Sequence, residues 1–363
     1  MNKVRLGIIG LGEVAQIVHL PILQSLSDRY EIRVLCDISP RLLRSMGERC
    51  GVEGLYSRTA ELVGREDIDA VFVLNSDEYH SESVVAAAQS GKHVLVEKPM
   101  CLTRREADEI IRARDESGVE VMVAYMRRYA PAFVQMKEEL ESLGRINYVR
   151  VRDIIGRNHL FVEQVGVVER YDDIPHEAGE ERAARAQWLV REAIGDAAPE
   201  LGGVYRLLCG LSSHDLSAMR ELIGRPKRVL SAAQWKDGRF LNAIFEYDGF
   251  YVTFETGIDG QRRFDAHIEV YGENKSLKVQ YDTPYVWQIP TTLHVSETEG
   301  ETHSERIIRP TFEDAYTMEL KEFHRVATGE RSPKTTPEDF REDLELFREI
   351  IGALQKGAKV GQG

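Results

Sequence analysis

The first third of the chain alternates short apolar runs with segments of helical period. Val4 to Ile9, Ile32 to Cys36, Ala70 to Leu74, His93 to Val96 and Val121 to Ala124 are dense in Val, Ile and Leu, as strands covered on both faces are. Between them, Val14 to Ser27, Pro40 to Cys50, Ser81 to Ser90 and Thr103 to Ser117 carry helical spacing, with Gly51, Gly91 and Gly118 placed to end three of the helices. This alternation predicts a doubly wound parallel sheet of α/β class.

Past Arg128 the period changes. A helix is expected from Pro131 to Leu143 and a strand from Ile146 to Asp153. From Val229 to Val295 apolar and polar residues alternate, with Asp248-Gly249 as a hairpin turn, which predicts an antiparallel sheet with one covered face. A last helix starts at Thr336-Pro337 and carries Phe340, Leu344, Phe347, Ile351 and Leu354 on one face; the tail from Gly357 to Gly363 is expected to fray. Residues 160–202 read as an insertion holding a helix from Glu180 to Ile194 rich in Ala, Arg and Glu: a lid, a subunit contact or a surface excursion without chemistry.

At 363 residues the chain suits two domains, expected over 1–128 and 129–363. With 47 Lys and Arg against 60 Asp and Glu, the net charge of -13 argues against nucleic acid as a partner. Cys36, Cys50, Cys101 and Cys209 lack paired spacing, so neither a metal site nor a disulfide framework is expected, only buried thiols in a reducing compartment. Met1 to Arg5 lead straight into the first strand, and no apolar run reaches the ~20 residues of a membrane span, so a cytoplasmic protein without a membrane partner is expected.

The first strand runs into Gly10-Leu11-Gly12-Glu13-Val14-Ala15, a G-x-G-x-x-A pattern between strand and helix. Gly10 suits a tight turn, Gly12 a close approach of backbone to a pyrophosphate, and Ala15 close packing of helix on strand. Asp37, after the second strand, stands where a carboxylate accepts from the hydroxyls of an adenosine ribose. It equally suits the turn Asp37-Ile38-Ser39-Pro40. The pattern predicts a nicotinamide dinucleotide cofactor, and the carboxylate favours NAD over NADP, although Arg41 nearby leaves NADP open.

His93-Val94-Leu95-Val96-Glu97-Lys98-Pro99 resembles the Glu-Lys-Pro signature of the Gfo/Idh/MocA oxidoreductase family. Asn75 to His80 resembles the family's preceding loop, Tyr125 to Pro131 its exit from the first domain, and His214-Asp215-Leu216 the histidine motif of its second. The resemblance implies an N-terminal Rossmann domain, followed by a C-terminal α/β domain with a large, mostly antiparallel sheet that carries substrate and mediates a homodimer or homotetramer. It implies a cofactor site of Gly10, Gly12, Glu13, Val14, Ala15, Asp37, Asn75, His80, Glu97, Lys98 and Arg128, and a substrate site of Lys98, Tyr125, Arg127 and His214. Lys98 and His214 are then catalytic, and the substrate is a sugar, inositol or related polyol. The chemistry agrees: oxidising a secondary alcohol needs a group that takes a proton near neutral pH, which histidine can be, and lysine can steady the alkoxide or itself accept the proton.

One position departs from the pattern. The family's aspartate four residues before the histidine is Gly210 here, so a carboxylate from elsewhere is expected to replace it, Asp153 or one on the insertion, or substrate handling is altered. Ser76 stands where the Asn75-to-His80 loop normally has proline. Two further readings stay open: a dinucleotide sensor without turnover, and a redox-neutral NAD-dependent glycosidase. Arg157, Trp235, Tyr281, Tyr285 and Trp287 are offered as substrate contacts, with core or subunit interface as the alternative.

Overall fold

The computed structural model describes residues 3–286 and 289–360, which leaves Trp287 outside the described residues. The chain forms two compact units, each drawn from three stretches: Met1–Ala124, Val165–Ala193 and Glu319–Leu344 in one, Tyr125–Gln164, Ile194–Met318 and Glu345–Gly363 in the other.

The first unit is built on six parallel strands, β1 (Val4–Ile9), β2 (Tyr30–Cys36), β3 (Gly54–Tyr56), β4 (Ala70–Val73), β5 (His93–Glu97) and β6 (Val121–Ala124), in the order β3-β2-β1-β4-β5-β6. The chain reverses its direction of travel across the sheet between β1 and β4, the place where α/β sheets open a crevice for ligands. The centre of the sheet is apolar: all four residues of β4 are fully buried. Its helices are α1 (Leu20–Ser25), reached through a π turn at Ala15–His19, then α2 (Pro40–Cys50), α3 (Thr59–Val63), α4 (His80–Gln89) and α5 (Arg104–Ser117). Thr103 and Glu106 close a reciprocal capping box on α5. Gly51, Gly91 and Gly118 all take positive φ where the pattern placed helix ends. β3 and α3 were not anticipated.

The second unit carries α6 (Pro131–Leu140), three residues shorter than expected, and an eight-stranded sheet. Its strands are β7 (Tyr148–Gly156), β8 (Arg228–Trp235), β9 (Phe240–Glu246), β10 (Tyr251–Asp259), β11 (Phe264–Tyr271), β12 (Lys275–Tyr281), β13 (Thr292–Glu299) and β14 (Thr302–Ile308), in the order β14-β13-β12-β11-β7-β10-β9-β8. All pairs are antiparallel except β7 with β10. The Asp248-Gly249 turn joins β9 to β10 as expected, and the sheet continues to Ile308, past the anticipated end at Val295. Its helices are α7 (His159–Val165), α9 (Ala198–Leu207) and α10 (Ser213–Ile223), with a π turn at Leu208–Ser212 between the last two. α8 (His176–Ile194), the insertion helix, lies almost wholly in the first unit, and α11 (Ala315–Ala327) and α12 (Pro337–Val360) pass from one stretch to the next. α12 continues to Val360, beyond the point where fraying was expected.

All four cysteines are free, and Cys50 is half-buried rather than buried. Among the described residues no helix is long and apolar enough to cross a membrane, and no cluster of His, Cys, Asp or Glu could hold a metal ion.

Candidate active site

In the first unit, the fingerprint loop lies at the carboxyl end of β1. Gly10 sits at φ +90, and a Cβ there would lie 2.4 Å from the Asn75 backbone nitrogen, so glycine is required by conformation and by space. A Cβ at Gly12 would meet no heavy atom within 4 Å, and the residue is exposed, which leaves room above the backbone for a phosphate group. Glu13 and Val14 are half-buried and Ala15 is buried where the helix begins. Asp37 accepts from the Leu11 N–H at 2.8 Å and the Ser39 N–H at 2.9 Å, which fixes its carboxylate beside the loop. Burial pushes this carboxyl above its ordinary range; the two N–H donors oppose that and the nearby Asp173 adds to it. The open glycine and the anchored acid fit a dinucleotide.

The loops after β4 and β5 bring Asn75, His80, Glu97 and Lys98 together. His80 spans two backbone carbonyls, with Nε2 2.9 Å from Asn75 O and Nδ1 2.8 Å from Pro99 O, and so ties the loop after β4 to the loop after β5. Asn75 donates to Ser83 Oγ at 3.1 Å. Glu97 is the last residue of β5, and its Oε2 accepts from the Lys98 N–H at 3.1 Å while Oε1 lies 2.9 Å from His19 Nε2. Burial alone would raise the Glu97 carboxyl, but the His19 contact, with Lys98 and His80 nearby, holds it below the usual carboxylate range. His19 was missed in the sequence because 78 residues separate it from Glu97. The Lys98-Pro99 peptide is cis, and Lys98 is half-buried.

The insertion turns back over this unit. The Glu169 backbone exchanges two hydrogen bonds with the Gln16 carboxamide, at 2.8 and 3.0 Å, and Arg170 pairs with Glu13 at 2.6 Å. Beyond, α8 docks on α4 and α5 through polar contacts: Tyr79 donates to Glu181 at 2.8 Å, Arg185 pairs with Glu82 at 2.8 Å, and Arg105 pairs with Glu192 at 2.9 Å.

In the second unit, His214 occupies the first turn of α10, 6% exposed, with its ring edge-on to buried Tyr125 at 6.5 Å. A Cβ at Gly210 would meet no heavy atom of the described residues within 4 Å. Asp153 does not lie free to replace it. It projects from the covered face of β7 with Val149, Val151 and Ile155, wholly buried, and Arg127 Nη1 lies 3.2 Å from its Oδ2. The same Arg127 nitrogen donates to Asp215, and the guanidinium lies 5.1 Å over the Tyr281 ring. Burial pushes the Asp215 carboxyl well above its ordinary range; Arg127 opposes that shift and the adjoining Asp153 adds to it. Tyr281, itself buried, packs against this charge cluster. Arg128, also buried, is held by Glu221 at 2.5 Å. Tyr285 accepts from Asn158 at 3.1 Å; Trp235 is exposed and stacks on Phe240; Arg157 is exposed.

The model of the oxidoreductase family with an NAD-binding Rossmann fold matches residues 4–125. Myo-inositol 2-dehydrogenase from Thermotoga maritima is 33% identical over 352 residues, covering 92% of this chain and 91% of the relative. Inositol 2-dehydrogenase 2 from Saccharopolyspora erythraea is 28% identical over 293 residues, covering 77% of this chain and 72% of its own. Two solved structures, each covered over 98% of both chains, share the fold: myo-inositol 2-dehydrogenase from Lactobacillus plantarum, at TM-score 0.72 and 19% identity, and aldose-aldose oxidoreductase from Caulobacter crescentus, at 0.73 and 18%. With a parallel six-stranded sheet, a second mostly antiparallel sheet and a relative matched nearly end to end, the chain belongs to the Gfo/Idh/MocA oxidoreductase family.

Proposed function

We propose that this protein is an NAD-dependent dehydrogenase that oxidises a secondary alcohol of an inositol or a closely related sugar or polyol. The match to a myo-inositol 2-dehydrogenase over 92% of the chain carries this reading. Gly10, Gly12 and the start of the following helix receive the pyrophosphate, and Asp37 the adenosine ribose. The bound nicotinamide supplies the hydride acceptor. Glu97, fixed by His19, holds the backbone of Lys98, and His80 ties the two loops around it. Lys98 steadies the negative charge that develops on the alcohol oxygen, and His214 takes the alcohol proton. Arg127, enclosed with Asp153 and Asp215, acts as a positioning residue beneath the start of α10, with no role of its own in the chemistry.

On the large sheet Trp235, Ile244, Tyr251 and Ile307 are exposed apolar residues, which supports a homodimer or homotetramer. Gly210 favours a second reading, a dinucleotide sensor without turnover. One experiment separates the two: nicotinamide absorbance is followed on mixing the protein with NAD or NADP and a panel of inositols, aldoses, sugar acids and glycosides. Reduced cofactor accumulating with inositols or related polyols is the expected outcome. Silence across the panel, with cofactor binding demonstrated, selects the sensor or a redox-neutral glycosidase.

A further inference from the structure

Asp173, on the insertion, reaches the amino end of α2, immediately past Asp37. Its Oδ1 accepts from Ser39 Oγ at 2.6 Å and its Oδ2 from the Arg41 N–H at 2.8 Å. Ser39 is the N-cap of α2, and the same hydroxyl accepts from the Leu42 N–H at 3.1 Å. A carboxylate there meets a hydroxyl donor, a free helix N–H and the positive end of the helix dipole, which together make an anion site. The Arg41 side chain is also engaged, with its guanidinium 4.5 Å over the Tyr171 ring and 3.3 Å from Asp172.

These donors are the ones a phosphate on the adenosine 2′ oxygen would need. If Asp37 holds the ribose hydroxyls, the next hydrogen-bonding groups along the chain toward the 2′ position are the Ser39 hydroxyl, the Arg41 N–H and the Arg41 guanidinium. The insertion delivers a fixed negative charge to them. Its position is set from both sides: Glu169 is clamped to buried Gln16 by two backbone hydrogen bonds and also accepts from Ser45 on α2 at 2.5 Å.

We propose that residues 169–173 form a strap that selects NAD against NADP, with the Asp173 carboxylate standing permanently where the 2′-phosphate of NADP would bind. This rests on the reading of Asp37 as the ribose ligand. It gives the insertion a part in cofactor choice, and it would keep Arg41, a nearby cation, from recruiting NADP.

The test is equilibrium binding, without substrate, of NAD and NADP to the full-length protein and to Asp173→Ala, Asp173→Asn and Asp37→Ala, followed by quenching of protein fluorescence. The parent is expected to bind NAD in preference to NADP. Both Asp173 variants should bind NADP roughly tenfold or more tightly than the parent, the scale expected from removing one charge a few ångströms from another, with NAD affinity altered less than about threefold. Asp173→Asn keeps the side-chain shape, so it reports the charge even if the alanine variant loosens the strap. An unchanged ratio of NADP to NAD affinity in both variants overturns the strap, as does an equal loss of both cofactors. If Asp37→Ala meanwhile loses NAD, the ribose reading survives that failure. If the parent binds neither dinucleotide, the ribose reading falls and the strap with it.

Discussion

Asp215 follows His214 directly, yet the two side chains meet different surroundings: the imidazole faces Tyr125 and the carboxyl is closed in with Arg127 and Asp153. Because burial raises the folded-state pKa of Asp215 above its unfolded value, its contribution to stability is complete below pH about 4 and declines as pH rises through the folded pKa. Asp215→Asn stays neutral at every pH. The difference in Tm between variant and parent is therefore expected to move in the variant's favour from pH 4 to pH 8, and a difference constant over that range would contradict the assignment. For the chemistry, Lys98→Ala and His214→Ala are each expected to lower kcat roughly 10²- to 10⁴-fold with NAD binding largely retained. Substantial residual turnover in the lysine variant, or a parental pH profile in a histidine variant that still turns over, would refute the respective role.

Elements were readable where they were long and periodic. The strands β1, β4, β5 and β6 and the helices α2, α4 and α5 lie within a residue or two of their expected bounds because short, mainly apolar runs and left-handed glycines mark them. β3 and α3, with three and five residues, are too short to show a period. The glycines and Asp37 were legible because they obey local rules. His19, Asp173 and the partners of Arg127 were not, since each depends on chain segments brought together only by folding. The start of α12 shows local and distant signals agreeing. The Thr336 hydroxyl accepts from the Asp339 N–H at 3.2 Å, and Glu338 pairs with Arg114 of α5, which holds its carboxyl down to about 2. That contribution is present above the unfolded pKa and lost as pH falls through about 2. Since both partners are partly exposed, Glu338→Gln is expected to cost at most about 1 kcal/mol at pH 7 and still less near pH 2; equal losses at both pH values, measured by urea unfolding, would contradict this.

At the scale of the whole molecule, the unit that carries the fingerprint loop is discontinuous in sequence. Its sheet ends at β6, and the outer side of that strand is paired by Thr335, whose carbonyl accepts from the Val123 N–H at 2.8 Å and whose hydroxyl donates back to Val123 O at 2.7 Å. Phe72, at the centre of the sheet, packs edge-on against Phe323, and the Tyr30 hydroxyl donates to Leu320 O at 2.5 Å. A polypeptide made on a ribosome meets these partners late: Val123 emerges more than 200 residues before Thr335. The nascent parallel sheet must therefore wait with an open edge and an uncovered aromatic centre, the condition in which half-made domains aggregate. A fragment ending at Ala124 is accordingly expected to be insoluble or molten, and addition of a separate peptide spanning residues 319–344 to recover part of its structure, seen as protection of the β6 amides from hydrogen exchange. A fragment that folds cooperatively by itself would show that these late-arriving residues are dispensable. If they are not, the growing chain needs shelter for residues 1–124 until residues 319–344 have been made.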